Sequence, residues 1–127
     1  MTSVGVIPFR DVGTGETSVV LRADTDVRFW ADFDGLYEPS YFVQYDVELV
    51  QGDRVVSTAT CDPIVAHDRV RVCTMRGRFG GINKNHCRMR CRARVPTSGP
   101  TLVHATLKTC CLMRNAVVYS ANLTIQQ

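Results

Sequence analysis

No acidic residue follows Asp68. All twelve Asp and Glu lie between positions 11 and 68, so residues 1–68 carry four arginines and a net −8, while residues 69–127 carry eleven Lys or Arg and a net +11. Long apolar runs are missing too. None exceeds four residues, as at 110–113, which excludes a transmembrane helix and predicts a soluble protein. The first ten residues, MTSVGVIPFR, hold Pro8 and a late Arg10 instead of a basic start and an apolar run, so no export signal is expected. The expected location is the cytoplasm or an intracellularly assembled particle.

What is present points to a globular domain. With 45% hydrophobic and 21% charged residues, the 127-residue chain is too apolar to be disordered, and its length fits one domain across 1–127. Neither internal repeats nor low-complexity segments divide it.

Helical periodicity is absent, and alternation of period two dominates. Residues 17–33 keep Val19, Leu21, Ala23, Val27, Phe29, Ala31 and Phe33 in one phase, with a break expected near Asp24-Thr25-Asp26. Residues 41–49 alternate again, with Tyr45, Val47 and Leu49 inward, and Gly52-Asp53 is a hairpin turn into a strand at 54–60. Further strands are expected at 69–75, 86–95, 102–109 and 116–125, with 77–85 as an exposed loop and 96–100 as a turn. Gly13-Thr-Gly15 lacks the lysine of a phosphate-binding loop and reads as a turn. The fold class is all-β: a two-sheet antiparallel sandwich, immunoglobulin-like in layout, with a small closed barrel as the alternative.

The segment His86-Cys-Arg-Met-Arg-Cys-Arg-Ala-Arg-Val95 sends Cys87, Met89, Cys91, Ala93 and Val95 to the core phase and Arg88, Arg90, Arg92 and Arg94 to the other face. Successive guanidiniums on a strand stand about 6.7 Å apart, each able to fork onto a phosphate or carboxylate. Arg76, Arg78 and Lys84 extend this basic field, and Arg76-Gly-Arg-Phe-Gly-Gly81 has the composition of an RNA-contacting loop or, more simply, of a solvated hairpin. The competing expectation places this strand beside 41–49, its arginines opposite Asp46 and Glu48. The same choice applies to the whole charge split: neutralisation inside the fold, or surfaces that stack acidic side to basic side or hold a polyanion.

Trp30 falls out of the core phase, on the outer face between Arg28 and Asp32, and Phe42 and Val50 are out of phase on the next strand. An outward tryptophan with apolar neighbours is the pattern of a partner-binding patch, unless loops or a bulge cover it. Six cysteines at 61, 73, 87, 91, 110 and 111 permit about fifteen pairings. Without an export signal, reduced core thiols are expected rather than disulfides, and the vicinal pair is expected to straddle a strand end. Cys87 and Cys91 on one strand stand about 13 Å apart, too far to share a zinc ion. No metal and no cofactor is expected.

His67, His86 and His104 sit in no catalytic motif, and Asn122-Leu-Thr124 fits a glycosylation acceptor by pattern alone. The expected function is therefore a non-enzymatic interaction or assembly module. It would bind a protein partner or copies of itself through Trp30, Arg28 and Phe42. The alternatives are a polyanion-binding domain using the arginine row, or an enzyme whose site is assembled from distant loops.

Overall fold

A computed structural model describes residues 1–37, 43–61, 71–79, 82–109 and 117–127. Among them run nine strands: β1 (Ser3–Phe9), β2 (Gly13–Leu21), β3 (Val27–Tyr37), β4 (Val43–Gln51), β5 (Arg54–Cys61), β6 (Arg71–Phe79), β7 (Ile82–Ala93), β8 (Gly99–Thr109) and β9 (Val117–Gln126). They form a five-stranded sheet, β1-β9-β3-β7-β6, and a four-stranded sheet, β2-β8-β4-β5, every pairing antiparallel. This is the expected sandwich, and the sheets do not close into a barrel. No helix among the described residues is long and apolar enough to cross a membrane.

The connectivity follows a long folded hairpin. β1 runs against β9, β2 against β8 and β3 against β7, while β4 and β5 close the ribbon at Gly52-Asp53. Gly52 opens that two-residue turn with φ +65°, a conformation matched to strand twist and cheap only for glycine. Folding the ribbon over adds the pairs β3–β9 and β4–β8. The result is jelly-roll connectivity with β6 added beside β7, whereas an immunoglobulin layout would make the first two strands neighbours in one sheet. Here β1 and β2 face each other from different sheets. Glycine permits the approach: a Cβ on Gly15 would lie 2.6 Å from Ile7 Cγ2, and one on Gly5 would lie 2.9 Å from Val19 Cγ1.

Alternation places the core as the phase requires. Val19, Leu21, Val27, Phe29, Ala31, Phe33, Tyr45, Val47, Leu49, Cys91, Val95, Ala121, Leu123 and Ile125 are all buried between the sheets. Each large apolar side chain so buried contributes about 1.5–3 kcal/mol relative to exposure. Phe9 packs edge-on against Tyr45 with ring centroids 5.5 Å apart.

Several elements differ from the sequence reading. β1 carries Gly5 and Pro8, which mask its alternation; it lies at a sheet edge, where proline is tolerated. Gly13-Thr-Gly15 opens β2 and is no isolated turn. The loop expected at 77–85 is largely strand: β6 continues to Phe79, β7 begins at Ile82, and the two register opposite each other. The strand expected at 86–95 is inner, as its phase implies, but it lies between β3 and β6 and not beside β4. Cys61 of β5 and Cys91 of β7 form a disulfide joining the two sheets, which corrects the expectation of reduced thiols for this pair. β5 and β7 approach each other from the two sheets, and the two Cα atoms stand 5.6 Å apart, within the usual disulfide range. Cys73 and Cys87 occupy opposed register positions on β6 and β7, and Cys110 and Cys111 lie outside the described residues.

Candidate interaction face

Three strands build the outer face of the five-stranded sheet around Trp30. On β3 the outward positions are Arg28, Trp30, Asp32 and Asp34. β7 sets Arg92 opposite Arg28, Arg90 opposite Trp30 and Arg88 opposite Asp32; β9 sets Gln126, Thr124 and Asn122 on the other side at the same three levels. β1 continues the face with the exposed Val4 and Val6. Period two delivers these side chains to one surface, as their sequence phase requires.

Trp30 is half-buried, and among the described residues its strand neighbours cover it. The Arg88 guanidinium lies 4.2 Å from the ring centroid and that of Arg90 lies 5.9 Å away. Such cation–π contacts contribute about 0.5–1 kcal/mol each at exposed sites. The indole Nε1–H donates to Gln126 Oε1 at 3.1 Å, which fixes the ring against β9. A second anchor sits at the end of the face. Asp26 accepts from Arg94 Nε at 3.1 Å and lies 4.0 Å from Arg92. The Gln127 side chain holds that corner: its Oε1 accepts from Arg22 N at 2.7 Å, and its Nε2 donates to the carbonyls of Arg22 and Thr25.

The arginine row is thus partly neutralised, though by other acids than those expected. Arg88 pairs with Asp32 at 3.5 Å, and Asp26 serves Arg92 and Arg94. Asp46 and Glu48 cannot reach the row, because β4 belongs to the other sheet. Asp46 instead pairs with Lys108 and accepts from Gln44 Nε2 at 2.6 Å. Burial pushes its carboxyl up, but the Lys108 and Gln44 hydrogen bonds and the Lys108 charge outweigh this and hold it below the usual carboxylate range. These pairs, and His104 against Glu16 at 3.4 Å, each join an acid of the first half to a base of the second. Among the described residues part of the split in sequence is therefore neutralised within the fold. Among the described residues Arg28 and Arg90 make no ion pair, and Arg28 stands opposite another arginine.

The other expected residues fall differently. Phe42 lies outside the described residues, and so does His67. Arg76 and Arg78 fall on β6 and Lys84 on β7, where the backbone alone is described; Arg76 sits at a register shift between Met75 and Gly77. Val50 is half-buried but does not join Trp30, since β4 belongs to the other sheet. Sequence reasoning missed Gln126 and Asp26. The outward phase of Asn122, Thr124 and Gln126 on the last strand was the available signal for the first.

Two open depressions lie near the strand ends. One, of about 550 Å³, is lined by Met1, Thr2, Val4, Val20, Arg22, Thr25 and Gln127; the other, of about 430 Å³, by Gln51, Arg54, Val55, Val56, Pro96 and Thr97. Neither lining gathers a nucleophile with a base. Among the described residues no three His, Cys, Asp or Glu side chains are grouped to hold a metal ion. Compared with protein-family models, curated proteins and solved structures, the chain shows no match, so the reading of this face rests on its own geometry.

Proposed function

We propose that the protein is a non-enzymatic interaction module and that the outer face of the five-stranded sheet, centred on Trp30, receives a protein partner. The observation that carries this reading is the Trp30–Arg88–Arg90 stack held by Gln126 on an open sheet face. Trp and Arg are the side chains most enriched at binding hot spots, and a rigid aromatic already fixed by neighbours loses little entropy on docking. The polyanion reading draws on Arg28 and Arg90, which make no ion pair among the described residues, but Asp26 and Asp32 interrupt the basic row along its length.

Photo-cross-linking tests the proposal. A photoreactive residue at Thr124, which sits opposite Trp30, is expected to capture a protein, while the same residue at Asp11, exposed in the connection between β1 and β2 and on neither sheet face, serves as the comparison. Replacing Trp30 with Ala should abolish the adduct from position 124 without changing the far-ultraviolet spectrum. Absence of any adduct from position 124, or its persistence in the Trp30→Ala protein, overturns the assignment.

A further inference from the structure

We infer that the partner is a second copy of this chain, docked head to tail: the outer face of the five-stranded sheet of one copy covers the outer face of the four-stranded sheet of the next. The inference rests on the binding role of the Trp30 face and adds the identity of what covers it.

The two faces are complementary in charge. Around Trp30 the described residues set Arg28, Arg88, Arg90, Arg92 and Arg94 against Asp26, Asp32 and Asp34, two positive charges in excess. On the four-stranded sheet, β2, β8 and β4 bring Glu16, His104 and Glu48 to one level, with Asp46 and Lys108 beyond them. With His104 neutral, Glu16, Asp46 and Glu48 against Lys108 leave two negative charges in excess. The groups with no ion pair of their own match as well. Among the described residues Arg28 and Arg90 have none on the first face; on the second Glu48 has none, and Glu16 has only the His104 ring, an ion pair when that ring is protonated.

Apolar surface accompanies the charge. The register aligns Leu102, Val50 and Val55 across the four-stranded sheet, with Val20 beside Pro100 at the next level. Val20 is 71% exposed and Val55 53%, and with the half-buried Leu102 and Val50 they make an apolar band across the face. Trp30 and Val6, at one level across β9, offer the counterpart. A four-stranded face is about 19 Å wide and about 30 Å long, so such a contact buries roughly 600 Å² on each copy, near the lower limit for specific interfaces. Pairing like faces would instead set positive against positive or negative against negative, which electrostatics disfavours. Because the two contacting surfaces differ, the association is heterologous and propagates as a ring or an open chain.

Sedimentation velocity over a concentration series at low and high salt tests this directly. The wild type is expected to form oligomers at low salt that dissolve at high salt as the charges are screened. Arg90→Glu and Glu48→Arg should each weaken self-association by about tenfold or more, since each sets like charges across the contact. An equimolar mixture of the two should recover it, because the altered faces complement each other and the unaltered faces still match. Thr58→Lys, beside Glu48 on the same face, replaces Glu48→Arg where that variant fails to fold. A wild type that stays monomeric at every concentration overturns the inference, as does Glu48→Arg associating like the wild type, which would mark a like-face dimer. Cross-linking from position 124 to a different protein, or to nucleic acid, by a monomeric wild type also overturns it. The first of these leaves the Trp30 face a protein-binding surface; the second overturns that reading too.

Discussion

Tyr45 donates its hydroxyl to the backbone carbonyl of Asp32 at 2.6 Å, a bond that crosses from one sheet to the other directly beneath the Asp32–Arg88 pair of the outer face. The ring is fully buried, and burial with the nearby Asp32 charge pushes the phenol far above its ordinary range, so it remains a donor at any pH of interest. A buried hydroxyl needs such a partner, and here the partner belongs to the strand that carries Trp30. Tyr45→Phe keeps the volume and loses the bond. The expected cost is about 1–2 kcal/mol in denaturant unfolding. A variant as stable as the wild type would show that the bond contributes nothing net.

Trp30 and Arg88 should be energetically coupled. A double-mutant cycle with Trp30→Leu and Arg88→Gln isolates their interaction, expected at about 0.5–1 kcal/mol. Arg88 also pairs with Asp32, so the single Arg88→Gln change removes two contacts, and only the cycle separates them. Because the chain has one tryptophan, its emission reports this face alone, and Arg88→Gln should shift it as the ring gains access to water. Additivity within about 0.3 kcal/mol would mean the ring and the guanidinium are merely adjacent.

The inward phase of 27–33, 45–49 and 121–125 was readable because a strand buried on one face shows its alternation whatever its partner. The same property left the pairing unreadable: β7 alternates identically beside β3 or beside β4, and placing its arginines opposite Asp46 and Glu48 failed on topology, not on phase. Trp30 was placed outward correctly. Its cover was not legible, since Gln126 and Trp30 are 96 residues apart and meet only through the β3–β9 pair created by folding the ribbon over. β1 escaped because Gly5 and Pro8 interrupt its pattern, although Gly5 is there to let β2 approach.

Asp46 makes stability depend on pH at the acid end. Its folded carboxyl ionises more readily than the unfolded one, so the contribution is complete above about pH 4 and is lost as pH falls toward the depressed value. The side chain is 36% exposed, so solvent screening limits the gain to about 1 kcal/mol or less. Lys108→Met removes the partner and should flatten this part of the profile, leaving the difference between pH 6 and pH 3 smaller than in the wild type. Urea titrations of both proteins at the two pH values measure it. An unchanged difference would assign the acid sensitivity to other carboxylates.

The Cys61–Cys91 disulfide ties β5 to β7 across the core, closing a loop with a sequence separation of 30 residues. Cross-linking such a loop stabilises by roughly 3–4 kcal/mol in the chain-entropy account, a large share of the stability of a small domain. Reductant should therefore lower the denaturant midpoint substantially, and Cys61→Ala with Cys91→Ala should reproduce the loss while making the protein insensitive to reductant at this site. The double variant separates this disulfide from the other four cysteines, because any further response to reductant must come from Cys73, Cys87, Cys110 or Cys111. Peptide mapping without reduction provides the direct check: Cys61 and Cys91 should appear in one linked fragment. Finding both alkylated in freshly denatured, unreduced protein would place them in the core as thiols and assign the joining of the two sheets to packing and the Tyr45 bond alone.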